Sequence, residues 1–293
     1  MTQTWTHIPI LATEIADLLL TRPDGVYMDG TLGLGGHTKL FLSRLGAGAR
    51  IFGFDKDEEA LSLAKANVSD ERLTAVHASY TQAAEVLRQY GVAGVDGALF
   101  DLGLSSYQLD NPARGFSLLR DGPLDMRFDL SASLTAAKIV NEWGLADLER
   151  ILTDYGEERN AHAIAMAIMA ARREGPIQTT FQLKNIVEKV SRGRGKIHPA
   201  TQTFQALRIA VNDELGCVEK VIRLLPDILN TGGRAAILTF HSLEDRLVKV
   251  RLKELCSSGK WQLINKHVIV PSYEEVRQNS RSRSAKLRVI ERL

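Results

Sequence analysis

Short apolar runs alternate with amphipathic stretches through the first hundred residues of this chain. Val26-Tyr27-Met28, Ile51-Phe52-Gly53-Phe54 and the runs near 73–77 and 95–101 have the length and content of buried strands. Between them, apolar positions recur at helical spacing near 38–45 (Leu40, Phe41, Leu45), 57–67 and 82–90. Strand and helix in alternation predict a parallel sheet with helices on both faces. From 109 to 215 the strand signal vanishes, and helical patterns take over at 146–155, 157–173, 181–190 and 201–215. Alternation returns with a helix at 218–229, a turn at Asn230-Thr231-Gly232-Gly233, a strand at 235–240 and a helix at 242–255. Strand-like runs at 261–270 and 287–290 close the pattern. The expected organisation is one α/β domain in two parts, 1–108 and 216–293, interrupted by a helical insertion at 109–215.

Composition narrows the class. With 293 residues, 44% of them hydrophobic, the chain can bury a large core and hold a domain plus an insertion. No apolar run reaches the roughly 20 residues that span a bilayer, so no membrane association is expected. The first ten residues lack a basic segment followed by an apolar one. Cys217 and Cys256 show no paired spacing, which favours a reducing compartment, and the expected location is the cytoplasm. The seven histidines follow no metal-ligand spacing, and no metal is expected.

The chemistry begins at Asp29-Gly30-Thr31-Leu32-Gly33-Leu34-Gly35-Gly36-His37, between the first strand and the first helix of the alternation. Glycines here let backbone N–H groups approach a ligand at a helix N-terminus. The second strand ends on Asp55, where a carboxylate can accept from two ribose hydroxyls. A dinucleotide fingerprint starting at Gly33 would need Gly or Ala at 38, and Thr38 stands there. Asp29 followed by Gly33 and Gly35 resembles the acid-and-glycine signature of class I S-adenosylmethionine methyltransferases. In that class the loop holds the methionine end of the cofactor and the acid after strand two holds its ribose. A glycine turn alone could be only a tight turn, but Asp29 and Asp55 at their strand ends argue against that.

A net charge of +2 does not announce a polyanion partner, but its distribution does. Residues 172–198 hold seven Lys or Arg against two acids, and 277–292 hold six against one. Gly193 and Gly195, between Arg192, Arg194 and Lys196, suggest a loop able to follow a phosphate backbone. Either cluster alone is equally consistent with a solvated surface; two on a near-neutral chain favour nucleic acid. Carbon-5 methylation of pyrimidines needs an activated cysteine, and neither Cys217 nor Cys256 has such a setting in sequence. Exocyclic-amine methyltransferases commonly carry Asp or Asn followed by Pro-Pro-aromatic after strand four. Here Asp101-Leu102-Gly103-Leu104 keeps the acid and lacks the prolines. From the residues alone the endpoint is a methyltransferase acting on N or O of a nucleic acid.

Longer motifs carry a closer resemblance. Asp101 to Asp110, Arg114-Gly115-Phe116-Ser117, Asp121 to Arg127, His198 to Asn212, Phe240 to Arg246 and Arg283 to Arg288 together resemble the ribosomal RNA small subunit methyltransferase H family over nearly the whole chain. The resemblance implies a class I S-adenosylmethionine-dependent, Rossmann-like fold split by a helical substrate-recognition domain. The implied reaction is methylation of a cytidine N4 amine in 16S rRNA of the small ribosomal subunit. Cofactor contacts carry over to Gly35, Gly36, His37, Asp55, Tyr80, Asp101 and Gln108. Substrate candidates are Arg192, Arg194, Lys196, His198, His241, Arg283 and Lys286. Tyr80 stands where relatives often have Phe, and the segment between Arg246 and Asn279 is shorter than in many of them. The usual Asn-Pro-Arg-Ala-Arg-Ser appears as Asn279-Ser280-Arg281-Ser282-Arg283-Ser284.

Several roles stay open at this level. Asp101 can serve the cofactor, the acceptor amine, or both, so no catalytic residue is assigned. Ser105 and Ser106 are further candidates, whereas His241 reads better as a cap for the helix starting at Ser242. Asp125 and Arg127 read equally as an ion pair anchoring the insertion and as substrate contacts. Two other classes remain: an assembly factor on a fold without catalysis, and a methyltransferase for another substrate. The intact acids and glycines weigh against the first, and the basic clusters against the second.

Overall fold

The computed structural model describes residues 9–191 and 198–293. By internal contacts the chain forms two compact units, Met1–Gly103 with Leu215–Leu293, and Leu104–Glu214.

The first unit opens with α1 (Ala12–Leu19) and then alternates β1 (Val26–Asp29), α2 (Gly36–Arg44), β2 (Arg50–Asp55), α3 (Glu58–Asn67), β3 (Leu73–His77), α4 (Ala83–Gln89) and β4 (Val95–Asp101). Burial explains why these runs become strands. Tyr27, Ile51 and Leu99 pack into one apolar cluster, while Met28, Phe52 and Phe100 pack into another. Successive strand residues point to opposite faces, so each run feeds a core on either side of the sheet. Helix starts are set locally: the Asp57 carboxylate caps α3 by accepting from the N–H groups of Glu59 and Ala60.

The second unit is helical, built from α5 (Ser106–Asp110), α6 (Ala136–Glu142), α7 (Leu145–Asp154), α8 (Ala161–Glu174), α9 (Thr180–Val190) and α10 (Thr201–Asn212). It has its own core, including Phe116, Ile139, Ile151, Ile164, Leu183 and Leu207. Two helices are shorter than the sequence pattern suggests. The segment expected to be helical from 157 starts at Ala161, because Glu157 takes the left-handed conformation with φ 50°. The helix expected to run to 215 stops at Asn212, where Asp213 turns left-handed with φ 49°. Arg127 forks onto Asp125 (Nε to Oδ1 2.8 Å, Nη2 to Oδ2 2.7 Å) and donates to the carbonyls of Leu130 and Ala132. That pair is an internal brace of this unit.

The chain returns through α11 (Glu214–Ile228), β5 (Leu229–Thr239), α12 (Ser242–Cys256), β6 (Trp261–Leu263), α13 (Tyr273–Gln278) and β7 (Lys286–Arg292). Among the described residues seven strands form one sheet in the order β3-β2-β1-β4-β5-β7-β6. β1 to β5 run parallel, and β7 lies antiparallel between β5 and β6. The expected turn at 230–233 is absorbed into β5, with Gly232 at φ 76° and a register shift opposite Val95 and Gly97. The expected strand at 261–270 is confined to Trp261–Leu263, followed by a single bridge from Ile269 to Leu287. This is a class I Rossmann-like sheet, and its parallel strands bring their carboxyl ends to one edge.

Candidate active site

Three aspartates end three neighbouring strands at that edge: Asp55 on β2, Asp29 on β1 and Asp101 on β4. They have different surroundings. Asp29 is 1% exposed and holds the glycine loop to α2: Oδ2 accepts from Thr38 Oγ1 at 2.8 Å, and Oδ1 from the Thr31 N–H at 3.2 Å. Burial raises its pKa, against the opposing pull of His37, Thr38 and Thr31. Asp55 keeps partial access to solvent. Its Oδ2 accepts from Gly33 N–H at 2.8 Å and its Oδ1 from Asp57 N–H at 2.9 Å. Burial pushes its pKa up to about 6, opposed by those two donors and reinforced by the Asp57 and Asp29 charges. A carboxylate has about four acceptor positions, so one on each oxygen remains for a ligand.

The loop that joins these acids is shaped by close backbone approach. Gly33 and Gly35 have φ of 51° and 81°, and Gly35 sits at the N-terminus of α2. A Cβ on Gly35 would lie 2.6 Å from Val68 Cγ2. Gly36 begins α2, and His37 follows it with a buried ring. His37 Nε2 lies 3.4 Å from Asp101 Oδ2, within ion-pair distance but without hydrogen-bond geometry. Neither ring nitrogen has a hydrogen-bond partner among the described residues, which is unusual for a buried imidazole. Asp101 is tied back by its own N–H, which donates to Thr31 Oγ1 at 2.7 Å. Sequence reasoning missed Thr31; its place two residues after the strand-end acid was the available signal. The partly exposed Tyr80 ring meets Phe100 edge-on, with centroids 5.7 Å apart.

Gln108 belongs to the helical unit. It is buried in α5, where Ser105 Oγ accepts its N–H and its Oε1 accepts the Ser105 N–H, a reciprocal cap. Ser105 is thereby a cap as well, and Ser106 is the first residue of that helix.

The substrate candidates divide. Arg192, Arg194 and Lys196 lie outside the described residues. His198 Nε2 contacts Glu188 Oε1 at 2.9 Å and its Nδ1 accepts from Ala200 N–H, a local brace at the start of α10. His241 is the N-cap of α12: its Nδ1 accepts from Glu244 N–H, while Glu244 Oε2 accepts from Phe240 N–H. Lys286 and Arg288 both donate to Asp245, at 3.1 and 2.9 Å. Burial opposes the Asp245 charge, but these two cations outweigh it and hold its carboxyl below the usual range. Arg283 is exposed.

The family model described as the MraW methylase family matches residues 4–293. The chain belongs to the MraW methylase family. Among similar proteins, the ribosomal RNA small subunit methyltransferase H of Elusimicrobium minutum is 57% identical over 290 residues, covering 99% of both chains. The protein of that name from an Azoarcus strain is 46% identical over 308 residues, covering 98% of this chain and 96% of its own. An rRNA methylase structure from Streptococcus thermophilus aligns with a TM-score of 0.42 at 14% identity, covering 96% of this chain and 93% of that one.

As a MraW methylase the chain is a methyltransferase, and S-adenosylmethionine is its methyl donor. The strand edge suits that cofactor chemically. Asp55 has acceptor positions to spare for a ribose diol, the Gly33–Gly36 turn brings backbone close to a helix N-terminus, and His37 offers two ring nitrogens without a hydrogen-bond partner among the described residues. For this MraW methylase the described residues also separate supporting cations, such as Lys286, from an exposed one, Arg283.

Proposed function

We propose that this MraW methylase methylates the exocyclic N4 amine of a cytidine in 16S rRNA of the small ribosomal subunit, in the cytoplasm. The names of its full-length relatives support the substrate class. Gly35, Gly36, His37, Asp55, Tyr80 and Asp101 hold the cofactor, and the helical unit of residues 104–214 recognises the particle. Among the described residues no helix is long and apolar enough to cross a membrane.

The observation that carries the choice of an amine is Asp101, fixed at the end of β4 by Thr31 and standing 3.4 Å from His37. When bound, S-adenosylmethionine supplies an electrophilic methyl group. The protein must bring the acceptor nitrogen into line and keep water away. Cytosine N4 is a weak nucleophile because its lone pair conjugates with the ring. A carboxylate accepting from N4–H returns electron density to nitrogen and offsets the positive charge that develops there. The thiols oppose the carbon-5 alternative: Cys217 is buried away from solvent, and burial raises the pKa of the Cys256 thiol, the opposite of what an attacking cysteine needs.

Nucleoside mass spectrometry of 16S rRNA from a strain lacking this gene tests the reading. Loss of N4-methylcytidine, restored by the gene, is the expected result. Retained N4-methylcytidine with a missing 5-methylcytidine would reject it.

A further inference from the structure

The C-terminal basic cluster, 277–292, splits into two halves with different surroundings. Lys286 and Arg288 are committed to Asp245, and Arg292 donates to the carbonyls of Pro226 and Leu229. These three side chains tie β7 to α12, to α11 and to the start of β5. Arg277 and Arg283 are exposed and have no hydrogen-bond or ion-pair partner among the described residues. Tyr273, one helical turn before Arg277 on α13, is 74% exposed.

The backbone that carries these exposed groups is anchored from beneath. Glu275 Oε1 accepts the Leu11 N–H at 2.8 Å, which ties α13 to the N-terminal end of α1. Ser282 is fully buried, and its Oγ donates to the Asn279 carbonyl at 2.8 Å. The short 3-10 turn at Ser280–Ser284 thus turns one small residue inward and leaves Arg281 and Arg283 outward on either side of it. Glu274 is the one exposed acid of the segment.

Its location matters most. The turn leads directly into β7, whose first residue Lys286 pairs with Thr239 at the carboxyl end of β5. Leu287 pairs with Leu238, and Leu238 pairs with Asp101. Two strand spacings of about 4.8 Å place Leu287 roughly 10 Å from Asp101. Arg283, three residues before Lys286, therefore lies by the sheet edge where the candidate active-site acids end, and α13, with Tyr273 and Arg277, leads directly into that turn.

We propose that Tyr273, Arg277 and Arg283 form a docking platform for single-stranded RNA flanking the acceptor nucleotide, the tyrosine stacking on a base and the arginines holding phosphates. A nucleotide placed in the site leaves its neighbours on the same edge. An exposed aromatic ring on an anchored backbone, with unpaired cations in the same segment, is the arrangement that grips a single strand without reading its sequence. Charge alone would also suit an acidic peptide, but a peptide carboxylate has no use for an exposed stacking ring. This inference rests on the RNA methyltransferase reading above.

The test uses the full chain, a fluorescein-labelled oligocytidine of about ten nucleotides and a polyglutamate peptide as competitor. Tyr273→Ala is expected to weaken RNA binding roughly 5- to 150-fold, with Tyr273→Phe near wild type. Arg277→Ala combined with Arg283→Ala is expected to reduce the slope of log affinity against log salt by about 1.4, two phosphates at about 0.7 each. S-adenosylmethionine affinity by calorimetry stays at the wild-type value in all of them. Unchanged RNA affinity and slope in these variants, or displacement of RNA by polyglutamate at equal charge concentration, overturns the platform. If wild type methylates small subunits while the variants bind RNA normally, only the platform falls. If wild type transfers no methyl to small subunits, the RNA reading falls and the platform with it.

Discussion

The backbone N–H of Gly33 donates to Oδ2 of Asp55 at 2.8 Å, joining the glycine loop after β1 to the acid that ends β2. One carboxylate thus holds the loop's shape and, partly open to solvent, keeps acceptor capacity left over. Removing the side chain should act on cofactor binding twice, through lost ribose contacts and through a loosened loop. Asp55→Ala is expected to weaken S-adenosylmethionine binding by at least a hundredfold, since charge-assisted hydrogen bonds contribute roughly 1.5–3 kcal/mol each. Asp55→Asn, which keeps an acceptor oxygen, should lose less. Titration calorimetry on variants shown to be folded by circular dichroism decides it. Wild-type affinity in Asp55→Ala would move the ribose to another group.

The raised pKa of Asp55 gives the same site a pH signature. With a value of about 6 set by burial, the carboxylate is ionised above that pH and protonated below it. Ribose hydroxyls donate to the ionised form, so cofactor affinity should fall as pH drops through about 6, by about tenfold one unit below. The ligand-free protein should respond in the opposite sense. Its folded-state pKa lies above the unfolded value near 3.9, so the native state binds the extra proton and the cost of the buried charge is relieved as pH falls from about 6 towards 4. Asp55→Asn should abolish both trends. Calorimetry and urea denaturation across this range check them, and an affinity independent of pH between about 7 and 5 would contradict the assignment.

Gly35 is the position where the loop is least tolerant of a side chain. Its φ of 81° is left-handed, and an added Cβ would come 2.6 Å from Val68 Cγ2. Gly35→Ala should destabilise the fold by about 2–4 kcal/mol, combining backbone strain with overpacking. Adding Val68→Ala should recover the packing part and leave the backbone part. Urea denaturation of the single and double variants separates the two, and a neutral Gly35→Ala would mean that the turn relaxes freely.

Much of this fold is readable along the chain because its first four strands are short apolar runs, three of them stopped by an acid. Val26–Asp29, Arg50–Asp55, Leu73–His77 and Val95–Asp101 lie where the pattern puts them. Boundaries set by single backbone angles are not readable this way: Glu157 and Asp213 end helical patterns by going left-handed, although neither is glycine. The strand expected to continue beyond Trp261 breaks because the Asn265 side chain takes the Val289 N–H and the Leu287 carbonyl of β7 in place of a backbone pair, and the ladder returns only as a bridge at Ile269. At the site, position marks Asp55 and Asp101, but the work of Asp55 in holding Gly33 depends on a contact between residues 22 apart. Likewise, nothing in the spacing of Lys286 and Arg283 tells that the first is held by Asp245 and the second is left exposed.

Asp101 offers the sharpest test of the chemistry. Its N–H is anchored on Thr31 Oγ1 and its Oδ2 stands 3.4 Å from a buried His37 ring that has no hydrogen-bond partner among the described residues. Asp101→Asn preserves the shape and the backbone anchor while removing the charge that would offset the developing positive charge on the acceptor nitrogen. If the carboxylate acts on the amine, turnover on undermodified small subunits should fall about a hundredfold, the lower end of what one well-placed electrostatic group supplies. S-adenosylmethionine affinity should fall less than about tenfold, because the remaining amide can still hold a polar partner. A purely cofactor-holding role makes the opposite pattern, with affinity lost and turnover at saturating cofactor retained. Single-turnover methyl transfer, measured beside calorimetry on the same variant, tells the two apart. Normal turnover at saturation would remove Asp101 from the chemistry of the amine.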